Sequence, residues 1–141
     1  MADLVIIDDD SDNVDVLTEI MALAGHEVRA GYNGRDGLRL VRERCPDLAL
    51  VDVEMPLLDG PGMAHRMFVE DMGTERIPVI LLSGAVNLRD VAVQVGTPYF
   101  LAKPYRFDQL TAIVDRALVE RSPPRPRAPE PKPEDASARV K

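Results

Sequence analysis

The feature that most constrains this chain is a fivefold alternation of short apolar runs with helix-like stretches. The runs are Leu4–Ile7, Glu27–Ala30, Leu48–Val51, Pro78–Leu82 and Tyr99–Ala102. Alternation of this kind is the signature of βαβ units wound about a parallel sheet, because parallel strands need a crossover and a helix supplies it. Leu4–Ile7 is continuously apolar, as a strand covered on both faces must be, whereas Glu27–Ala30 alternates polar and apolar like an edge strand.

The helices between the runs are legible to different degrees. The first begins near Ser11 or Asp12, turns Val14, Leu17, Met21 and Ala24 inward, and ends at Gly25. The second spans roughly Gly34 to Arg44 and is stopped by Pro46. A turn-rich segment, Met55–Gly60, precedes a third helix through Met63, Met67 and Met72, whose methionines read as core filling. The fourth covers about Val86 to Val95. In the last, Leu110, Ile113, Val114, Ala117 and Leu118 recur at i, i+3, i+4, i+7 and i+8, which makes one broad apolar stripe.

From Ser122 onward there are prolines at 123, 124, 126, 129, 131 and 133 and almost nothing apolar. Such a segment cannot bury enough surface to offset its ordering entropy, so the domain is expected over 1–121 and a Pro-rich disordered tail or linker over 122–141. Charge divides at the same place. Up to Arg121 there are 12 Lys and Arg against 21 Asp and Glu, a net −9, while the remainder carries +2. An acidic domain without a basic cluster disfavours direct nucleic-acid binding, which depends on clustered cations. Cys45 is the only cysteine, so no intramolecular disulfide can form, and two histidines are too few for a zinc site. No apolar stretch nears the roughly 20 residues that span a membrane, and no basic leader precedes the first strand. A cytoplasmic location is expected on these grounds.

In a parallel α/β sheet, ligands bind beyond the carboxyl ends of the strands. Four strands end in polar residues: the first in Asp8, Asp9 and Asp10, the third in Asp52, the fourth in Ser83 and the fifth in Lys103, followed by Pro104. Right-handed crossovers bring these ends to one rim. Crowded carboxylates repel one another, and a cation relieves the repulsion. Mg²⁺ suits hard oxygen ligands, typically one or two carboxylates completed by water and phosphate oxygens, which Asp9, Asp52 and an incoming phosphoryl group would supply. Asp52 then reads as the nucleophile, with Lys103 and Ser83 placed to neutralise the transferring group.

The motifs VIIDDD (5–10), LVDVEMPLLDG (50–60), VILLSGA (79–85) and YFLAKPY (99–105) resemble those of response-regulator receiver domains, over residues 3 to about 120. The resemblance implies a (βα)₅, flavodoxin-like fold with strand order 2-1-3-4-5. It implies Asp8 and Asp9 as an acidic pair for Mg²⁺, Asp52 as phospho-acceptor, and the backbone carbonyl of Glu54 as a further metal ligand. Ser83 would be the hydroxyl of the switch, Phe100 its moving aromatic, and Asp10 peripheral. A sensor histidine kinase or histidine phosphotransfer protein would be the donor, an unspecified protein the downstream partner, and the chain a monomer or weak dimer. By the same resemblance, and from the need to aim Lys103 back toward Asp52, the Lys103–Pro104 peptide is expected to be cis. Only 12 residues separate Ser83 from Gly96, which implies a short or irregular fourth helix.

Two other functions fit part of the pattern. A haloacid-dehalogenase-like phosphatase would use Asp8 and Asp10, but leaves Asp52 without a role and would need a cap the chain has no room for. A receiver-shaped docking protein that works without phosphorylation would lack an essential residue, and none is missing. Outside the rim, His26 and His65 read as surface groups and Cys45 as inert.

Overall fold

The computed structural model describes residues 2–52 and 63–125. Five strands and five helices alternate in chain order. They are β1 (Asp3–Ile7), α1 (Ser11–Leu23), β2 (Glu27–Gly31), α2 (Gly34–Glu43), β3 (Leu48–Asp52), α3 (Met63–His65, running on into a π-helical turn Arg66–Glu70), β4 (Val79–Ser83), α4 (Leu88–Val95), β5 (Tyr99–Ala102) and α5 (Phe107–Glu120). The sheet has the order β2-β1-β3-β4-β5 with every pair parallel, the flavodoxin-like arrangement expected from the motifs.

The continuous apolar runs are explained by the layers above and below the sheet. Val5, Ile7, Ala49, Val51, Val79 and Leu81 face one side and pack with Leu40, Phe68, Val69, Val91 and Val95. Their chain neighbours Leu4, Ile6, Leu48, Leu50, Ile80 and Leu82 face the other, against Leu17, Met21, Leu110 and Val114. The inner strands β1, β3 and β4 therefore carry continuous apolar runs although their side chains alternate between faces, and each buried aliphatic contributes about 1.5–3 kcal/mol. Helix α2 approaches β1 so closely that a side chain at Gly37 would run into Ile7.

Helix starts follow capping chemistry. Asp10 precedes α1 and its carboxylate accepts the Asp12 and Asn13 N–H groups, and Asn33 does the same for Asp36 at α2. Helix α4 is short, as the Ser83–Gly96 spacing implied; it starts at Leu88, without a side-chain cap, and ends where Gly96 takes φ 86°.

The third helix departs from expectation. Its regular part ends at His65, and the chain widens into a π turn in which Asp71 N–H bonds Arg66 O at 2.8 Å. Thr74 then ties back to Val69 through both its N–H and its hydroxyl. The widened turn carries Phe68 and Val69 into the core, leaves Met67 37% exposed, and puts buried Met72 beyond the helix, so the methionines do not form one inward stripe. His65 is buried as well, its Nδ1 2.6 Å from the Val95 carbonyl at the end of α4, which corrects its reading as a surface group.

Packing continues past Arg121, where the tail was expected to begin. The Ser122 N–H donates to the Tyr99 hydroxyl at 3.4 Å, Pro124 is buried, and the Arg125 N–H donates to Gly96 O at 2.9 Å. Residues 126–141 lie outside the described part.

Candidate functional site

Register places the polar strand ends on one rim. Ile7 stands beside Val51, Asp52 beside Leu82, and Ser83 beside Ala102, so the residue following β1, the last of β3 and β4, and the one after β5 are neighbours. Asp8, Asp52 and Ser83 are all buried, at 2%, 8% and 2% exposure, in a position where an apolar side chain would otherwise end the core. The Lys103 N–H donates to the Ser83 carbonyl at 2.8 Å, extending the β4–β5 ladder by one bond and fixing where the lysine starts. The Lys103–Pro104 peptide is cis, as expected. The Lys103 ammonium lies 2.6 Å from Asp52 Oδ2. It stands off the direction of a hydrogen bond, so this oxygen has an opposite charge beside it but no directed donor.

Asp8 is held from the other side. Its Oδ1 accepts the Asp10 N–H at 3.0 Å, while Oδ2 is buried with no hydrogen-bond partner. Its carboxyl is pushed up to about 6, chiefly by burial, with the Asp52 charge adding to the rise and the Asp10 N–H and Lys103 opposing it. Asp9 is exposed at the mouth. Together with Asp8 and Asp52 it lines a cavity of about 220 Å³, which Tyr32, Asn33 and Met72 close from the opposite wall.

The group implied by this donor set is Mg²⁺, and the fit can be judged from the oxygens. Two buried carboxylate oxygens, Asp8 Oδ2 and Asp52 Oδ2, lack a hydrogen-bond donor, a costly state that a hard cation would relieve. Among the described residues, no three His, Cys, Asp or Glu side chains are placed to hold a metal ion together. An open set is what Mg²⁺ takes, since it keeps several waters and borrows oxygens from its substrate. The residues fit. The expected Glu54 carbonyl ligand lies outside the described residues.

Ser83 Oγ accepts the Ala85 N–H at 3.0 Å, which turns the chain away from the strand end toward α4. Phe100 is half-buried and packs on the β4–α4 side of the sheet. Asp10, expected to be peripheral, is the cap of α1, so the Asp8 and Asp10 pair of the phosphatase reading is split between a buried rim position and an exposed cap.

Sequence reasoning passed over three residues near this rim, Tyr32 and Asn33 in the first cavity and Asn13 in a second beside Lys103, and took Tyr105, which also lines the second, for a packing or interface residue. Tyr32 and Asn33 follow β2, so the same strand-end rule, applied to the edge strand, would have found them.

An acidic pair, a buried carboxylate, a hydroxyl and a lysine at the carboxyl ends of a 2-1-3-4-5 sheet are the marks of a receiver domain. The chain belongs to the response regulator receiver domain family, whose model matches residues 4–115. It is 35% identical over 117 residues to the regulatory protein AtoC of Escherichia coli, covering 81% of this chain and 25% of AtoC. It is 32% identical to the transcriptional regulatory protein PrrA of Mycobacterium tuberculosis over 84% of this chain and 50% of that protein. Protein PilH of Pseudomonas aeruginosa is 32% identical, with 84% of this chain and 99% of PilH covered. The chain thus spans a quarter to a half of the first two relatives and nearly all of the third. Among solved structures, a response regulator receiver domain protein from Clostridium thermocellum aligns with a TM-score of 0.69 at 26% identity, over 85% of this chain and 96% of that one.

Proposed function

We propose that the chain is a phosphoryl-accepting response regulator of a two-component or phosphorelay system, with Asp52 as the acceptor. The single observation that carries this is the pairing of a buried Asp52 with Lys103 at 2.6 Å, beside a second buried carboxylate on one open cavity. An isolated structural ion pair would not bring Asp8 along, since a second buried acid only adds repulsion.

The donor is a phosphorylated histidine of a sensor kinase or phosphotransfer protein. As the phosphorus–nitrogen bond breaks, the Asp52 carboxylate forms the new phosphorus–oxygen bond, and the imidazole leaves and takes up a proton from solvent. Mg²⁺, held by Asp8, Asp9, Asp52 and the Glu54 carbonyl, would supply charge neutralisation. Lys103 leaves its ion pair to meet a phosphoryl oxygen, and Ser83 exchanges its bond with the Ala85 N–H for another, drawing the start of α4 with it. Phe100 is the aromatic whose position follows, and the changed face recruits a protein partner. The chain promotes only its own phosphorylation and dephosphorylation, acts in the cytoplasm as a monomer or weak dimer, and does not touch nucleic acid itself. Among the described residues, no helix is long and apolar enough to cross a membrane.

The test is incubation with a small phosphodonor and Mg²⁺, followed by mass spectrometry. One covalent phosphate per chain is expected on the wild type and none on Asp52→Asn, whose Tm should be at least that of the wild type. Labelling that survives in Asp52→Asn, or many donor equivalents hydrolysed without labelling, would remove Asp52 from this role.

A further inference from the structure

The rim opens into two cavities of opposite chemistry. The one between β1, β3 and the loop after β2 is lined by Asp8, Asp9 and Asp52, with no basic side chain among the described residues. The other, about 430 Å³, is lined by Asn13, Lys103, Pro104 and Tyr105, with no acidic side chain among the described residues. Lys103 joins them, since it lines the second cavity while its ammonium reaches Asp52 in the first.

A phosphoryl group on Asp52 would carry roughly −1.5 to −2 charge in place of the carboxylate's own −1, beside the remaining carboxylates of Asp8 and Asp9. A cation can be served on the acidic side. The anionic oxygens are served on the other, where every polar side chain among the described residues of the wall can donate: the lysine ammonium, the Asn13 amide and the Tyr105 hydroxyl.

Tyr105 is half-buried, with its ring against the core cluster of α1 and α5. Among the described residues neither its hydroxyl nor the Asn13 side-chain amide has a hydrogen-bond partner. The phenol is held above its ordinary value by burial first, then by the charges of Asp52 and Asp8. It therefore stays protonated, and it lies within the field of both carboxylates.

We infer that Tyr105 is a further phosphoryl-binding residue, its hydroxyl donating a hydrogen bond to an oxygen of the group carried on Asp52 from the cavity it shares with Lys103 and Asn13. The inference rests on the reading of Asp52 as acceptor, and it gives that site a donor that neither the strand ends nor the acidic pair provide.

The test uses beryllofluoride with Mg²⁺, because a tetrahedral fluoroberyllate on a carboxylate oxygen puts three acceptor fluorines where phosphoryl oxygens would be. The full chain is titrated as wild type, Tyr105→Phe and Asp52→Asn, with Mg²⁺ alone as a parallel titration. Tyr105→Phe keeps the ring and is expected to keep its Tm and its Mg²⁺ affinity while binding beryllofluoride roughly three- to tenfold more weakly. The Tyr105 ring-carbon resonance next to the hydroxyl should shift on beryllofluoride binding in the wild type and stay fixed in Asp52→Asn. Equal beryllofluoride affinity in wild type and Tyr105→Phe overturns the inference while leaving the acceptor reading intact. Parallel losses for Mg²⁺ and beryllofluoride also overturn it, by showing that the phenol acts through the fold. If the wild type binds no better than Asp52→Asn, the acceptor reading itself falls, and the inference with it.

Discussion

At the scale of single residues, the rim trades stability for chemistry. Asp8 is 2% exposed, its Oδ2 has no donor, and its carboxyl is pushed up to about 6, so at neutral pH and without a cation it is a buried charge facing another at Asp52. Asp8→Asn removes that charge and keeps an oxygen to accept the Asp10 N–H. In metal-free buffer at pH 7 the variant is expected to be more stable than the wild type, on the order of 1–3 kcal/mol, by chemical denaturation. Its Mg²⁺ affinity should fall in the same preparation. A less stable Asp8→Asn would mean that the carboxylate serves the fold rather than a ligand. Which residues these are could be read from the sequence, because a strand end is a place as well as a composition. Burial could not be read: Asp8, Asp9 and Asp10 are one run of identical letters, yet the first is buried, the second lines the mouth and the third caps a helix.

At the scale of elements, what was legible followed period and punctuation. The alternation of apolar runs placed all five strands within a residue or two, and Gly25 and Pro46 marked the ends of the first two helices, whereas the caps Asp10 and Asn33 were not read. The π turn after His65 was not legible, since Met63, Met67 and Met72 fit a regular stripe and only tertiary packing of Phe68 and Val69 selects the wider turn. Nor was the strap 122–125, whose composition gives no apolar signal; it is held by the geometry of its target. Gly96 has φ 86° and an absent side chain, and the Arg125 backbone lies where a Cβ would stand. Two truncations separate the strap from the residues after it. Ending the chain after Arg125 should leave the Tm within about a degree, whereas ending it after Arg121 should cost about 1–2 kcal/mol through the loss of buried Pro124 and two hydrogen bonds. Equal Tm values for the two would show that the strap contributes nothing. Gly96→Ala should destabilise the long form more than the short one, because only the long form has Arg125 to collide with.

At the scale of the whole molecule, charge is segregated between the two ends of the sheet. The carboxyl ends hold repelling acids, while the amino ends hold a network of opposite charges that draws distant parts of the chain together. Asp3 of β1 pairs with Arg29 of β2 at 3.0 Å and with Arg44 after α2 at 2.9 Å. Asp47 then joins three segments: its Oδ2 accepts the Asp3 N–H at 2.8 Å, and its Oδ1 meets Arg121, at the end of α5, at 3.2 Å. Such closure was invisible in the sequence, where Asp47 and Arg121 are two charges among many, separated by 74 positions. The Asp3 N–H lowers the Asp47 carboxyl below its ordinary 3.8, partial burial opposes this, and Arg121 lowers it further. The sign of the linkage follows from that direction. A carboxyl that holds its proton less tightly in the native state than in the unfolded one stabilises the fold wherever it is ionised in both, which is above about pH 4. That contribution is lost as pH falls below the unfolded value of 3.8 and through the lower native one. Asp47→Asn should therefore be less stable than the wild type at pH 7, and the difference should shrink toward zero between about pH 4 and pH 2, as measured by urea denaturation across that range. The gap at pH 7 should also narrow in high salt for the part owed to Arg121, which is exposed, and persist for the part owed to the Asp3 N–H. A difference that stays constant down to pH 2 would show that Asp47 acts by shape alone.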